Sequence, residues 1–264
     1  MNNGTNGTFI FWGEFVEIAY DMYNSNARQP VSPANFPAGW QRIANITMDP
    51  GILGMKDLEF AGFIAESIDN PLQQAVVFRG TESVLDWLSD FEFIMETFKE
   101  VPNAGETEQG FTNLYRSMKV QDVDASKPEV SLINYLDGLP AGKQLTVTGH
   151  SLGSAFATLH AFVASTKGFA VDLITFASPR VGDRKFVEAF QKTTIRNTRI
   201  YNKPDIVPKV PVELAGYHHV EPSMEIDSTQ FPIKHSISCY HALTTYLYVL
   251  GDTGADISDC MASK

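Results

Sequence analysis

The chain has 264 residues, 44% of them hydrophobic and 19% charged, enough to bury one large core and typical of a globular protein. Its net charge of −11, from 20 basic and 31 acidic residues, argues against nucleic acid or an anionic membrane as partner, and no local basic cluster offsets it. No apolar run reaches the length needed to span a bilayer, so no transmembrane segment is expected.

The first eight residues, "MNNGTNGT", are polar and read as a flexible tail on a single domain covering residues 1–264. They lack a basic n-region and a small-residue cleavage site, so no signal peptide is expected and the chain reads as cytoplasmic; a secreted mature form is the alternative. Short apolar runs then recur: "FAGFIAES", "QAVVFRG", "QLTVTG", "VDLITFAS" and "TRIYN". Between them lie "GFTNLYRSMKVQ", "EVSLINYLDGL", "SLGSAFATLHAFVAS" and "DRKFVEAFQKT", each with helical periodicity. Strands alternating with helices predict an α/β fold, a mostly parallel central sheet with helices on both faces. In "TESVLDWLSDF", a helical reading puts Val84, Trp87, Leu88 and Phe91 on one face. The next stretch, "FEFIMETF", suits a strand as well as a helix. A last helix is expected from Ser236 to Leu250. Two cysteines, Cys239 and Cys260, are too few for a metal cluster or a disulfide framework; unpaired buried thiols are the expected state, and a pair formed as the tail returns past the last helix is the alternative.

The most informative stretch is "LTVTGHSLGSAFATL", which runs strand, G-x-S-x-G, helix. A tight strand-to-helix turn lifts a serine above the sheet, and the helix N-terminus offers N–H groups to a developing oxyanion. Ser151 is therefore the expected nucleophile. In this architecture the acid and then the histidine follow the serine along the chain, which removes His150. His160 lies down the helix that Ser151 opens and reads as packed. Asp205, in the loop of "TRIYNKPDIVPKVP" after a strand, is the expected acid; Asp172 opens a strand, and Asp183 sits where a helix is capped. His218 and His219 read as edge-strand residues. Between the last two, His235 lies in a loop and His241 inside the expected last helix. The loop position favours His235 as the base.

These segments together resemble the class 3 lipases, the filamentous-fungal type within the α/β-hydrolases. The resemblance runs from about Phe60 to Leu247 through "VVFRGTES", "DWLSD", "EQGF", "VTGHSLGSAFATL", "TFASPRVGD", "YNKPDIVPKVP", "GYHHVEP" and "KHSISCY". It implies the α/β-hydrolase fold and a triad of Ser151, Asp205 and His235, with Tyr240 following the histidine as a family tyrosine does. It also implies Thr81 and Leu152 as oxyanion donors, Asp90 as the carboxylate holding the Thr81 hydroxyl, and a short helical lid built on Val84, Trp87, Leu88 and Phe91. Three departures stand out: Glu108 where the family commonly has histidine, Ser154 for a frequent glycine, and no counterpart to the disulfides of the secreted fungal members.

The expected activity is hydrolysis of a carboxylic ester, with triacylglycerol or another acylglycerol as substrate at a neutral lipid–water interface. Such chemistry requires neither metal nor organic cofactor. An esterase for soluble or aromatic (feruloyl-type) esters is the nearest alternative, and Trp87 with Leu88 in the lid stretch leans toward lipid. A catalytically silent scaffold is the remote one, since such relatives should lose a triad member.

Overall fold

A computed structural model describes residues 3–49, 51, 58–81 and 93–262 of the chain. It opens with helix α1 (Asn3–Ser25), so most of the expected flexible tail is helical. The reason is burial: Phe15, Val16, Ala19 and Met22 recur at helical spacing and are at most 1% exposed. The helix extends the polar residues that precede that stripe.

Strands β1 (Trp40–Met48), β2 (Glu59–Ser67) and β3 (Gln73–Phe78) follow as an antiparallel meander. After β4 (Met95–Thr97), within the stretch whose periodicity was ambiguous, come β5 (Glu106–Glu108) and α2 (Gln109–Ser117). The chain continues through β6 (Lys119–Asp122), β7 (Val130–Ser131) and α3 (Leu132–Tyr135) to β8 (Gln144–His150) and α4 (Leu152–Thr166). Next are β9 (Ala170–Phe176), β10 (Gly182–Asp183), α5 (Arg184–Gln191) and β11 (Arg196–Asn202). The last elements are β12 (Tyr217–His218), β13 (Ser223–Ile226), α6 (Ile237–His241) and α7 (Leu243–Leu250).

Among the described residues the main sheet has nine strands in the order β13-β11-β9-β8-β3-β2-β1-β6-β7. From β13 to β3 every pairing is parallel; from β3 to β7 every pairing is antiparallel. One core cluster packs α2, α4 and α5 against one face, and a second packs α1 and α7 against the other. Because β8 is central and covered on both sides, α4 is buried all round from Leu152 to Ala164, which its small residues permit. No described helix is long and apolar enough to cross a membrane.

Two expectations change near the C-terminal side. The single last helix is two: Ala242, at φ −54° and ψ 130°, is extended and separates α6 from α7. The cysteines are not free thiols. Cys239 and Cys260 form a disulfide that ties α6 to the chain beyond α7.

Candidate active site

Ser151 stands between β8 and α4 with φ 57° and ψ −127°, a conformation that costs a non-glycine residue about 1–3 kcal/mol. The close approach of strand and helix forces that turn: a Cβ on Gly153 would lie 2.4 Å from the Arg79 carbonyl oxygen at the end of β3. Ser154 N–H donates to the Ser151 carbonyl, and the Ser154 hydroxyl contacts the Gly149 and Phe176 carbonyl oxygens, each at 2.7 Å. The serine that replaces a frequent glycine thus braces the turn. Ser151 itself is fully buried, and its hydroxyl has no hydrogen-bond partner among the described residues.

Asp205 lies past the C-terminal end of β11, where the sequence puts it, and is 1% exposed. Its Oδ1 accepts Val207 N–H at 3.0 Å. Its Oδ2 takes two further bonds, from His241 Nδ1 at 2.8 Å and from the Tyr246 hydroxyl at 2.8 Å. The expectation for His235 is therefore corrected: Asp205 pairs with His241. His235 is exposed, in the bend before α6, with its ring 5.9 Å from that of Tyr240. The helix break supplies the physical reason. His241 is the last residue of a one-turn helix rather than a mid-helix residue, so it can face the sheet's C-terminal edge.

The tyrosine bonded to Asp205 is Tyr246. Burial and then the charge of Asp205 push the Tyr246 phenol well above its ordinary range, so it stays a donor. Its oxygen also accepts Asn202 N–H at 2.9 Å. The Asn202 side chain in turn donates to the Tyr240 carbonyl at 2.8 Å, fixing the backbone just before His241. With Nδ1–H committed to Asp205, His241 Nε2 is left as an acceptor; it is buried and unpartnered among the described residues.

His150, removed from the candidates by chain order, packs against His241. Its ring lies 4.6 Å from the His241 ring, and its Nε2 is 2.8 Å from the His241 carbonyl oxygen. Burial, then the neighbouring His241, hold it well below the usual histidine range. His160 is fully buried against the Tyr115 hydroxyl at 3.1 Å, with its pKa lowered by burial to about 3. Asp183 caps α5 by accepting Phe186 N–H at 2.7 Å. Glu108, in the family's histidine position, caps α2 by accepting Phe111 N–H at 2.6 Å.

Thr81 follows β3 by three residues and has a buried hydroxyl without a partner among the described residues; Leu152 opens α4. Thr81, His150 and His241 line a cavity of about 970 Å³ together with Tyr20, Ile237 and Leu243. Glu17, Asp21 and Asp256 also line it, making part of its wall acidic. Burial, then Asp252, Asp21 and Glu14, raise the Glu17 carboxyl to about 7. Asp90 and the residues expected to form a lid, Val84, Trp87, Leu88 and Phe91, lie outside the described residues. No group of three or more His, Cys, Asp or Glu side chains among the described residues has the arrangement to hold a metal ion.

The model of the family described as "Lipase (class 3)" matches residues 75–215, more than half of the chain. The chain belongs to the class 3 lipase family. It is 28% identical to the secreted mono- and diacylglycerol lipase 1 of Fusarium solani over 87% of this chain and 66% of that protein. Phospholipase A1-IIgamma of Arabidopsis thaliana is 30% identical over 89% of this chain and 61% of its own length. The chain thus spans about two thirds or less of these two relatives. The crystal structure of a mono- and diacylglycerol lipase from Aspergillus oryzae superposes with a TM-score of 0.64 at 27% identity, covering 84% of this chain and 79% of the other. The α/β-hydrolase fold expected from the sequence is the fold observed. His241 and Tyr246 both fall beyond the matched residues, as do Glu17 and Tyr20 before them.

Proposed function

We propose that the protein is a serine carboxylic-ester hydrolase of acylglycerols, with Ser151 as nucleophile, His241 as general base and Asp205 as the acid that orients it. The observation that carries this reading is the Asp205–His241 pair, together with the strained turn at Ser151. Ser151 Oγ attacks the ester carbonyl carbon while His241 Nε2 takes the hydroxyl proton. The Thr81 and Leu152 N–H groups stabilise the oxyanion, each such donor contributing about 10²–10³ in rate. Collapse of the tetrahedral intermediate breaks the ester C–O bond, and Nε2 returns the proton to the leaving alkoxide. Water, deprotonated by the same nitrogen, then attacks the acyl-enzyme and releases the fatty acid. Asp205 orients the imidazole throughout, its own carboxylate oxygens accepting from Val207 N–H and the Tyr246 hydroxyl.

Relatives bearing both acylglycerol-lipase and phospholipase names leave two lipid classes in view. The acidic lining at Glu17, Asp21 and Asp256 favours the uncharged one, since an anionic phosphodiester there would meet like charge. A lid over residues 84–91 remains part of the proposal and would expose Trp87 and Leu88 to an oil–water interface. The test is hydrolysis of p-nitrophenyl esters from acetate to palmitate and of dispersed diacylglycerol, by the wild type and Ser151→Ala. Activity that Ser151→Ala loses by about 10⁴-fold is expected. A folded Ser151→Ala protein that still hydrolyses these esters near the wild-type rate would remove the serine mechanism.

A further inference from the structure

The Tyr20 hydroxyl, on the inward side of α1, sits among three segments that the proposed reaction uses. It accepts Gly80 N–H at 2.9 Å and lies 2.8 Å from His150 Nδ1. His150 Nε2 in turn meets the His241 carbonyl oxygen at 2.8 Å. The direction of each bond follows from elementary bookkeeping of donors. A carbonyl only accepts, so His150 Nε2 carries the proton. Burial keeps the ring neutral, so Nδ1 is the acceptor and the Tyr20 hydroxyl donates to it. The chain of bonds is Gly80 N–H to Tyr20 O, Tyr20 O–H to His150 Nδ1, and His150 Nε2–H to the His241 carbonyl.

The Gly80 end matters because the Gly80 carbonyl and Thr81 N–H belong to one planar peptide unit. That carbonyl accepts Arg79 Nη1–H at 2.7 Å, and the Arg79 guanidinium lies 3.5 Å from the centroid of the Tyr23 ring, one turn along α1 from Tyr20. Gly80 is thereby held at both its N–H and its carbonyl from the α1 side. The space admits nothing larger: a Cβ on Gly80 would lie 2.4 Å from the Tyr20 oxygen and 2.8 Å from the His150 carbonyl oxygen.

We propose that Tyr20 is a positioning residue for ester hydrolysis, one hydroxyl that fixes the peptide bearing Thr81 relative to the Ser151 turn and, through His150, to the backbone of the base. This rests on the Ser151–His241–Asp205 reading. It assigns to α1, outside the matched family segment, a part in aligning oxyanion donor and base. In this scheme Tyr20 acts through Gly80 and His150.

The test uses Tyr20→Phe, which keeps the ring and removes the hydroxyl, in the full chain. Active sites are counted by stoichiometric release from a p-nitrophenyl phosphonate, so misfolded protein drops out of the rate. Misaligned donors and base slow the chemical step and leave ground-state binding alone. The kcat per titrated site on p-nitrophenyl butyrate is therefore expected to fall about 10- to 100-fold with KM within about twofold. Because one of the two hydroxyl bonds acts through His150 and the other through Gly80, Tyr20→Phe should cost less in a His150→Phe background than in the wild type, the part that remains being the Gly80 bond. A wild-type kcat per titrated site, a loss confined to the number of sites or to Tm, or equal factors in both backgrounds would overturn the proposal. A Ser151→Ala protein that retained activity would instead defeat the triad reading, so the two failures are told apart.

Discussion

Asp205 Oδ2 and His241 Nδ1 lie 2.8 Å apart, in a pocket where both side chains are at most 3% exposed. The bond defines the imidazole's tautomer and leaves Nε2 as its acceptor. His241→Ala is therefore expected to lower kcat by about 10⁴-fold, in line with the loss of a triad member. His235→Ala, at an exposed bend, should stay within about twofold of wild type. Steady-state rates of the two purified variants on p-nitrophenyl butyrate decide it, and a dead His235→Ala beside an active His241→Ala would reverse the assignment.

The ambiguity between those histidines has a specific origin. The spacing histidine, four residues, tyrosine occurs twice in succession, as His235 with Tyr240 and as His241 with Tyr246. Pattern matching accepts either. Hydrophobic periodicity then favours His235 over the histidine that pairs with Asp205, because Ile237 to Leu250 reads as one uninterrupted apolar helix with no glycine or proline in it. The break at Ala242 is tertiary: Asn202 holds the Tyr240 carbonyl and His150 meets the His241 carbonyl, so the helix loses its continuation to partners distant in sequence. The Ser151 turn was legible for the opposite reason, since glycine, serine, glycine and the flanking strand and helix are all local signals. Asp205 was legible from its loop after β11. Tyr20 and α1 were not, because their role depends on contacts more than a hundred residues away and on no motif.

Tyr246→Phe removes one of the two donors to Asp205 Oδ2 and the acceptor of Asn202 N–H. Each lost buried hydrogen bond should cost about 1–3 kcal/mol of stability. A drop in Tm accompanied by a smaller fall in kcat than His241→Ala gives is the expected result. Thermal unfolding with kinetics on the same preparation measures both.

Glu108 carries a pH signature of folding. Burial raises its carboxyl to about 7 from an ordinary value near 4.5, against the opposing bonds from Phe111 and Gly110 N–H. Between those values the unfolded chain has released a proton that the folded chain keeps. Stability contributed by this group is therefore full below about 4.5, falls as pH rises, and is gone above about 7. The span corresponds to roughly 3 kcal/mol at most. Glu108→Gln can still cap α2 but cannot ionise, so its denaturation midpoint should decline less between pH 5 and pH 8 than that of the wild type. Parallel slopes for the two proteins would rule this out.

Glu17 brings a matching effect to the cavity. It faces Asp252, Asp21 and Glu14, with Asp256 also on the lining, and its carboxyl is raised to about 7. As pH rises through 7 the wall gains a negative charge near His241. The kcat/KM ratio for a carboxylate-bearing ester over a neutral one of equal length should fall across that range in the wild type, and fall less in Glu17→Gln. A ratio independent of pH in both proteins would count against an electrostatic filter here.

The Cys239–Cys260 disulfide closes a loop of 21 residues that contains His241 and all of α7. Closing a loop of that size stabilises a fold by about 3 kcal/mol through the unfolded chain's entropy. Cys239→Ser/Cys260→Ser should therefore unfold at a clearly lower urea concentration, with kcat at 25 °C changed by less than about threefold because Asn202 and Asp205 still hold α6. Equilibrium denaturation and initial rates read the two effects separately.

The helix that opens the chain packs on the helix that nearly ends it: Asn6 donates to the Leu250 carbonyl at 3.0 Å, and a Cβ on Gly13 would strike Leu247 at 2.3 Å. Biosynthesis gives that arrangement a consequence. A growing polypeptide would carry Tyr20, Thr81, Ser151 and Asp205 out of the ribosome well before His241. Until α6 and α7 emerge and α7 docks on α1, the nascent protein would hold the proposed nucleophile and acid without the proposed base. The reaction would thus stay silent during translation, and begin only when the two helices meet.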